Sequence, residues 1–159
     1  MLIGLLSDTH DRLTTMRAAL GCFSDLGIKT IAHAGDLVAP FAARLLVDYG
    51  GQVYVTFGNN DGERRGLLEV LPAIQNGPLK FEAGGQRILL HHYVEWCHAD
   101  DIERADVIVT GHTHRPIAER RNGKLFINPG ECCGWLSGRC TAAVLNLADC
   151  SVEHIEVSP

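Results

Sequence analysis

The chain has 159 residues, of which 46% are hydrophobic and 21% are charged, a composition that excludes a disordered chain. Its 14 basic and 19 acidic residues give a formal net charge of −5, which argues against non-specific binding to nucleic acid. No apolar run approaches the roughly 20 residues that span a bilayer, which excludes a membrane protein. We therefore expect a single domain over residues 1–159.

An apolar segment follows Met1 directly, without the basic stretch and cleavage site of a signal peptide. The cytoplasm is therefore the expected location, and thiols stay reduced there. The six cysteines form no C-x-x-C pair, and we expect all of them to be packing residues.

The first half of the chain alternates short apolar runs with amphipathic stretches. Buried strands are predicted at residues 2–6, 30–34 and 53–57. Helices are predicted at residues 12–26, 38–49 and 63–71. One strand and one helix in about every 30 residues predict a parallel sheet with right-handed crossovers.

From Gly77 onward short strands predominate. They are predicted at residues 78–81, 87–90, 107–109, 117–120, 125–127, 142–147 and 152–157, with one short helix at 99–104. Asn122-Gly123 is a hairpin turn signal. Because no linker or repeat separates the two halves, the predicted fold class is a layered α/β sandwich with mixed sheets.

Potential metal ligands follow the predicted strands. Asp8 and His10 come after the first strand, Asp36 after the second and Asn59 after the third. The carboxyl ends of parallel strands meet at one edge of a sheet, so these side chains are expected to lie close together. Two later strands run into histidines in the same way, namely His91, His92, His112 and His114.

Asp8 and His10, like His112 and His114, are two residues apart, a spacing that turns both side chains of an extended segment to one side. The candidates offer carboxylates, an amide and imidazoles but no thiolate, which suits Mn, Fe, Co, Ni or Zn in an open site. The set is too large for one ion with an open position. A pair of ions bridged by one carboxylate would use all of these ligands.

The order of the motifs carries a resemblance to a known family. The motifs are Ser7-Asp8-Thr9-His10, Ala34-Gly35-Asp36, Gly58-Asn59-Asn60-Asp61, a late histidine and Gly111-His112-Thr113-His114. This set resembles the calcineurin-like metallophosphoesterases. The short length and Asn128-Pro129-Gly130 are similar to the small bacterial and archaeal phosphodiesterases related to the eukaryotic retromer subunit. The resemblance implies an α/β/β/α sandwich of two mixed sheets flanked by helices.

The resemblance also implies a role for each candidate. A first divalent metal would be bound by Asp8, His10 and His114, and a second by Asn59, His92 and His112. Asp36 would bridge the two metals, and Asp36, Asn59 and His92 are the predicted catalytic residues. Manganese is the expected metal, with nickel, zinc, iron and cobalt as alternatives.

The predicted reaction is hydrolysis of a small phosphodiester by in-line attack of a hydroxide that bridges the two metals. The alternative is a non-catalytic protein-interaction scaffold of the same fold, the role attributed to the retromer subunit. The complete ligand set favours the enzyme. A single-metal hydrolase or oxygenase would leave Asp36 and Asn59 without a role. A homodimer formed through exposed strands of the second half stays open.

Two positions near the expected site depart from the family pattern. Asn60 stands where many relatives have the histidine that protonates the leaving group, and an amide cannot do this at neutral pH. We therefore expect either esters whose leaving groups need little protonation, such as phenolates, or protonation by water on a metal. In the fourth motif the strand register favours His92 over His91 as the ligand, and Tyr93 replaces a glycine and is expected to narrow the pocket.

Two acidic residues are expected to have other roles. Glu131 stands where relatives usually have serine, and we expect its negative charge near the path by which phosphate approaches. Asp61 is expected to cap the helix that follows it.

Overall fold

The computed structural model describes residues 1–158. The strands are β1 (Leu2–Leu6), β2 (Thr30–His33), β3 (Gln52–Thr56), β4 (Ile74–Gln75), β5 (Leu79–Ala83), β6 (Gln86–Leu90), β7 (Val107–Val109), β8 (Pro116–Arg121), β9 (Lys124–Pro129), β10 (Thr141–Asn146) and β11 (Ser151–Glu156). The helices are α1 (Leu13–Asp25), α2 (Pro40–Tyr49), α3 (Arg64–Val70) and α4 (Ala99–Arg104), and a short 3-10 turn spans Val94–Trp96.

These strands form two mixed sheets. The six-stranded sheet has the order β11-β10-β1-β2-β3-β4, in which β1 to β4 are parallel and β10 pairs antiparallel with both β1 and β11. The five-stranded sheet has the order β5-β6-β7-β9-β8, with β6, β7 and β9 parallel and both edge strands antiparallel. Five of the parallel strands, β1, β2, β3, β6 and β7, end in the loops that contain the candidate ligands.

Alternation along the strands builds the layers, because successive side chains of a strand point to opposite faces. In β1, Ile3 and Leu5 pack between the two sheets, whereas Leu6 faces α1, α2 and α3. In β7, Val107 and Val109 pack between the sheets, whereas Ile108 faces α4. The predicted α/β/β/α sandwich is therefore confirmed.

The differences from the predicted elements are local. The second helix begins at Pro40 and not at residue 38, because Val38 has a φ of 82° and Ala39 is extended. Proline is well suited to the first helical position, where its missing N–H costs nothing. Strand β4 has only two residues, too few to produce a periodic signal. Among residues 1–158, none of the helices has the length and apolarity of a membrane span.

Candidate metal centre

The predicted ligands lie on loops whose backbone is strained. Five of them have a positive φ, a region that side chains other than glycine rarely adopt: Asp8 (51°), His10 (40°), Asp36 (61°), His112 (65°) and His114 (59°). Such residues persist only where the surrounding structure holds them, and they concentrate at functional sites. The strained backbone of these loops thus turns the five side chains toward a common point.

A first group of donor atoms surrounds the carboxylate of Asp8. Its Oδ1 atom lies 3.2 Å from Nε2 of His114 and 3.9 Å from Nε2 of His10. Nε2 of His10 also lies 3.5 Å from Oδ2 of Asp36. Asp8, His10 and Asp36 have donor atoms that all lie within 4.8 Å of one another.

A second group surrounds the side-chain oxygen of Asn59. Its Oδ1 atom lies 2.9 Å from Nε2 of His92 and 3.1 Å from Nδ1 of His112. Nε2 of His92 lies 3.5 Å from Oδ2 of Asp36. The carboxylate of Asp36 is therefore next to a histidine of each group. The seven predicted ligands converge at one rim of the sandwich.

His92, and not His91, lies in this cluster. Nδ1 of His92 donates to the carbonyl oxygen of Ala34 at 2.7 Å, which leaves Nε2 free to face Asn59 and Asp36. His91 instead accepts the N–H of Tyr93 at 2.9 Å, and its ring packs against the backbone of Gly77. The strand register therefore identified which histidine faces the other ligands.

Asp36 is held in place by Asn60. The backbone N–H of Asn60 donates to Oδ1 at 2.8 Å and its side-chain amide donates to Oδ2 at 2.7 Å. Burial opposes ionisation of Asp36, but hydrogen bonds and charge interactions with His92 and Asn60 lower its pKa below the usual range. Asp36 is thus an anion in this environment. Asn60 thus fixes the carboxylate of Asp36 by hydrogen bonds, which an amide can donate at any pH.

Two glycines allow the loops to approach this closely. A Cβ atom added at Gly58 would collide with the carboxylate of Asp36, and one added at Gly111 would collide with the hydroxyl of Ser7. That hydroxyl donates to Oδ2 of Asp8 at 2.6 Å, and the N–H of His112 donates to the same oxygen at 3.1 Å. One oxygen of Asp8 is thus fully engaged, and the other faces the first group.

The donor atoms of the first group are better suited to binding a metal than to forming hydrogen bonds with one another. Oδ1 of Asp8 and Nε2 of His10 are buried and have no hydrogen-bond partner among residues 1–158. Such groups are costly to bury unless something compensates them. Burial is the largest influence on the pKa of Asp8 and raises it, as expected for a carboxylate removed from water. A divalent cation would provide a binding partner for both of these atoms.

The chemistry of the donors supports the same conclusion. Two ligand atoms about 2.1 Å from one ion, at octahedral or tetrahedral angles, are about 3.0–3.4 Å apart, and most contacts in both groups are near this range. Cys133 also has its thiol within 4.8 Å of donor atoms of His10 and His114. That thiol donates to Glu131, and burial raises its pKa to about 12. A protonated thiol is a poor metal ligand, so the oxygen and nitrogen atoms are the better candidates.

The structure contradicts the predicted role of Asp61. Its carboxylate accepts the backbone N–H groups of Asp36 (3.0 Å), Val38 (2.6 Å) and Gly58 (2.7 Å), and so ties together the loops after β2 and β3. Glu63 caps α3 instead, by accepting the N–H of Gly66. The capping prediction was wrong because the sequence pattern could not distinguish contacts within the chain segment from contacts between neighbouring loops.

The expectation for Glu131 was wrong as well. Its side chain is buried, with 1% exposure, and it accepts a hydrogen bond from Nδ1 of His114 at 2.9 Å. Although burial opposes ionisation, hydrogen bonds from Ser137, His114 and Leu136 lower the pKa of Glu131 to about 2. Its charge therefore lies behind a candidate ligand and does not face the solvent from which a phosphate would arrive.

Tyr93 lies beside the second group. Its hydroxyl donates to Oδ1 of Asn59 at 2.8 Å, and its ring lies 4.0 Å from that of His112 and 4.1 Å from that of Trp96. This position agrees with the expectation that Tyr93 narrows the pocket beside the candidate ligands. Sequence reasoning noticed Tyr93 as a replacement for glycine but not its contact with a candidate ligand.

Comparison with known proteins places this site in context. A family model described as a calcineurin-like phosphoesterase superfamily domain matches residues 1–150. A phosphodiesterase of Methanocaldococcus jannaschii is 36% identical over 157 residues, which cover 92% of this chain and 93% of that protein.

Solved structures agree. That of an archaeal phosphodiesterase is 32% identical, with a TM-score of 0.86 over 99% of this chain and 100% of the other. Vacuolar protein sorting 29 from Cryptosporidium parvum is 21% identical, with a TM-score of 0.66 over 99% of this chain and 98% of the other, a likeness of fold alone.

Proposed function

Since this chain belongs to the calcineurin-like phosphoesterase superfamily and is a metal-dependent phosphoester hydrolase, we propose that it hydrolyses a small phosphodiester at the rim where its seven candidate ligands converge. The observation that carries the proposal is the position of Asp36. Its carboxylate lies 3.5 Å from His10 on one side and 3.5 Å from His92 on the other. A carboxylate shared by two groups of donors is the arrangement that a pair of ions requires.

We propose that each group holds one divalent ion. Asp8, His10 and His114 would hold the first and Asn59, His92 and His112 the second, with Asp36 between them. When bound, such ions lower the pKa of a water molecule that attacks phosphorus in line, and they neutralise charge on the phosphoryl oxygens. Manganese is the proposed metal, with nickel, zinc, iron and cobalt as alternatives.

The chain's own residues favour a diester with a good leaving group. The backbone N–H and the side-chain amide of Asn60 donate to Asp36, and an amide is not an acid at neutral pH, so this position supplies no proton to a departing alkoxide. Tyr93 and His112 are packed together beside Asn59, which leaves less room at the second group. A leaving group that is stable as an anion, such as a phenolate, needs no such proton.

We further propose one domain over residues 1–159, because β10 and β11, from the C-terminal part of the chain, join the same sheet as β1, from its N-terminal part. The cytoplasmic location and the lack of non-specific nucleic-acid binding stay predictions from the sequence. A homodimer is likewise untested.

The test compares two substrates. The purified protein is assayed on bis-p-nitrophenyl phosphate and on p-nitrophenyl phosphate with manganese, nickel and zinc in turn. We expect faster hydrolysis of the diester. The exchange Asp36→Ala should abolish activity, whereas Asp48→Ala, on the exposed face of α2, should not change it. A preference for the monoester would contradict the diesterase proposal, and no hydrolysis with any metal would favour the scaffold.

A further inference from the structure

Glu131 is a buried carboxylate directly behind one of the candidate metal ligands. It lies in the loop between β9 and β10, and 1% of its surface is exposed. Its Oε2 atom lies 2.9 Å from Nδ1 of His114. On the opposite side of the same ring, Nε2 of His114 lies 3.2 Å from Oδ1 of Asp8, in the first group of donors. The two ring nitrogens thus face different partners.

The carboxylate of Glu131 is fixed by further hydrogen bonds. The backbone N–H of Leu136 donates to both oxygens, at 3.0 and 3.2 Å, and the backbone N–H of Ser137 donates to Oε1. The thiol of Cys133 lies 3.3 Å from Oε2. Because two of these donors belong to the main chain, the orientation of the carboxylate is set before any ion arrives.

Both ring nitrogens of His114 face a carboxylate, but only Nδ1 makes a hydrogen bond with its carboxylate, that of Glu131, whereas Oδ1 of Asp8 has no hydrogen-bond partner among residues 1–158. Because an ionised carboxylate can only accept, the proton of a neutral His114 belongs on Nδ1. The lone pair of Nε2 is then directed at the first group of donors. We propose that Glu131 is a positioning residue, which fixes the tautomer and ring orientation of His114 and thereby raises the affinity of the first group for a divalent metal. This inference rests on the proposed function. Partners of this kind typically change metal affinity by about 10–100-fold when they are removed.

The exchange Glu131→Gln is a sharp test because its amide would be oriented by the same neighbours. The N–H of Ser137 requires an acceptor at the Oε1 position, and the N–H of Leu136 can donate to an acceptor there as well. The NH₂ group would then lie where Oε2 contacts His114, and it would donate to Nδ1. His114 would respond by moving its proton to Nε2, the atom that faces Asp8.

The first measurement can overturn the inference with the wild-type protein alone. Long-range ¹H–¹⁵N spectra of the metal-free wild-type protein should show His114 with its proton on Nδ1, and the spectra of Glu131→Gln should show it on Nε2. A wild-type protein with the proton on Nε2 would overturn the inference. This result decides the matter even when Glu131→Gln does not fold, which circular dichroism would reveal.

The second measurement is a calorimetric titration of metal-free protein with Zn²⁺. We expect Glu131→Gln to weaken binding at one of two sites by about 10–100-fold and to leave the other unchanged. The matched control is Glu69→Gln, since Glu69 is exposed on α3 and pairs with the exposed Arg65. Equal affinities of Glu131→Gln and wild type would overturn the inference.

These outcomes are separable from those that concern the function. A wild-type protein that binds Zn²⁺ with the expected dependence on Glu131, but that hydrolyses no phosphodiester, would overturn the proposed function alone. A wild-type protein that hydrolyses the diester, with unaltered metal binding in Glu131→Gln, would overturn the positioning role alone.

Discussion

At the scale of single residues, the candidate site contains buried polar atoms that have no hydrogen-bond partner in the part of the chain that the structure describes. Asp8 is buried and its Oδ1 atom has no hydrogen-bond partner among residues 1–158. A buried acceptor in this state costs about 1–3 kcal/mol of stability. The protein therefore carries a local instability that a cation would remove.

We predict that Asp8→Asn stabilises the metal-free protein, because the amide keeps the acceptor for Ser7 and can donate to His114 from the orphaned position. In chelator at pH 8, the free energy of unfolding should rise by about 1–3 kcal/mol. Added manganese should stabilise the wild type but not the variant. The control is Asp48→Asn on the exposed face of α2. A variant less stable than the wild type in chelator would contradict the prediction.

The pH dependence of stability should reflect His33. This histidine is fully buried between Thr9 and the N–H of Gly35, and burial lowers its pKa to about 3. Below about pH 6.5 the unfolded chain takes up a proton that folded His33 does not, so stability falls as the pH falls from 6.5 toward 3. Its contribution is up to about 1.4 kcal/mol per pH unit.

The variant His33→Asn should therefore flatten the dependence of the unfolding free energy on pH between 4 and 6.5, measured by urea denaturation in chelator. The exchange His98→Asn, at an exposed position, is the comparison. Equal slopes for His33→Asn and wild type would rule out this contribution of His33.

Single residues also mark the limit of sequence reasoning. Asp8, His10 and Asp36 could be found because their residue types and positions after strands suggest a metal site. The partners that orient them could not be found in this way, since Glu131 contacts His114 across a loop and Asp61 bonds to backbone N–H groups. Such contacts depend on loop geometry, which residue spacing does not encode. The ligand roles themselves stay predictions.

At the scale of elements, the strands were predictable and their ends less so. Alternation and apolar runs identified β1, β6 and β7, and the observed bounds differ by at most one residue. The start of α2 was missed because Val38 adopts a left-handed conformation that its residue type disfavours. Most of the non-glycine residues with a positive φ lie in the loops after β1, β2 and β7, which carry candidate ligands.

The loop after β3 should tolerate no side chain at Gly58. A Cβ atom there would collide with the carboxylate of Asp36, so Gly58→Ala should displace Asp36 and weaken the binding of Mn²⁺, as measured by titration. Gly21→Ala is the matched comparison, because a Cβ atom at this position in α1 meets nothing within 4 Å. It should stabilise the protein by about 0.5–1 kcal/mol and leave metal binding unchanged. Unaltered binding by Gly58→Ala would contradict this view of the loop.

At the scale of the whole molecule, both sheets contribute to both groups of donors. The six-stranded sheet supplies Asp8, His10, Asp36 and Asn59, and the five-stranded sheet supplies His92, His112 and His114. The layered fold was predictable from the sequence because its alternation is repeated in almost every strand. The approach of the two sheets at this rim was predicted from the family resemblance, since no residue spacing determines the distance between sheets.

Metal binding should therefore protect loops of both sheets together. With manganese, hydrogen exchange should slow in the loops after β1, β2, β3, β6 and β7, because an ion bound only by the folded state suppresses their opening. The turn at Asn122-Gly123 between β8 and β9 should exchange at the same rate with and without metal. Protection confined to one sheet would contradict a site shared by both.

The division of the ligands between the sheets has a consequence for biosynthesis. The second group is incomplete until His112 has left the ribosome and the first until His114 has, and β1 gains its neighbour β10 only when residues 141–146 have followed. A nascent chain that exposes Asp8 and His10 thus has no closed binding site with which to capture an ion too early. Under the proposed function, metal loading would therefore be a late event of maturation, which takes place on the finished protein.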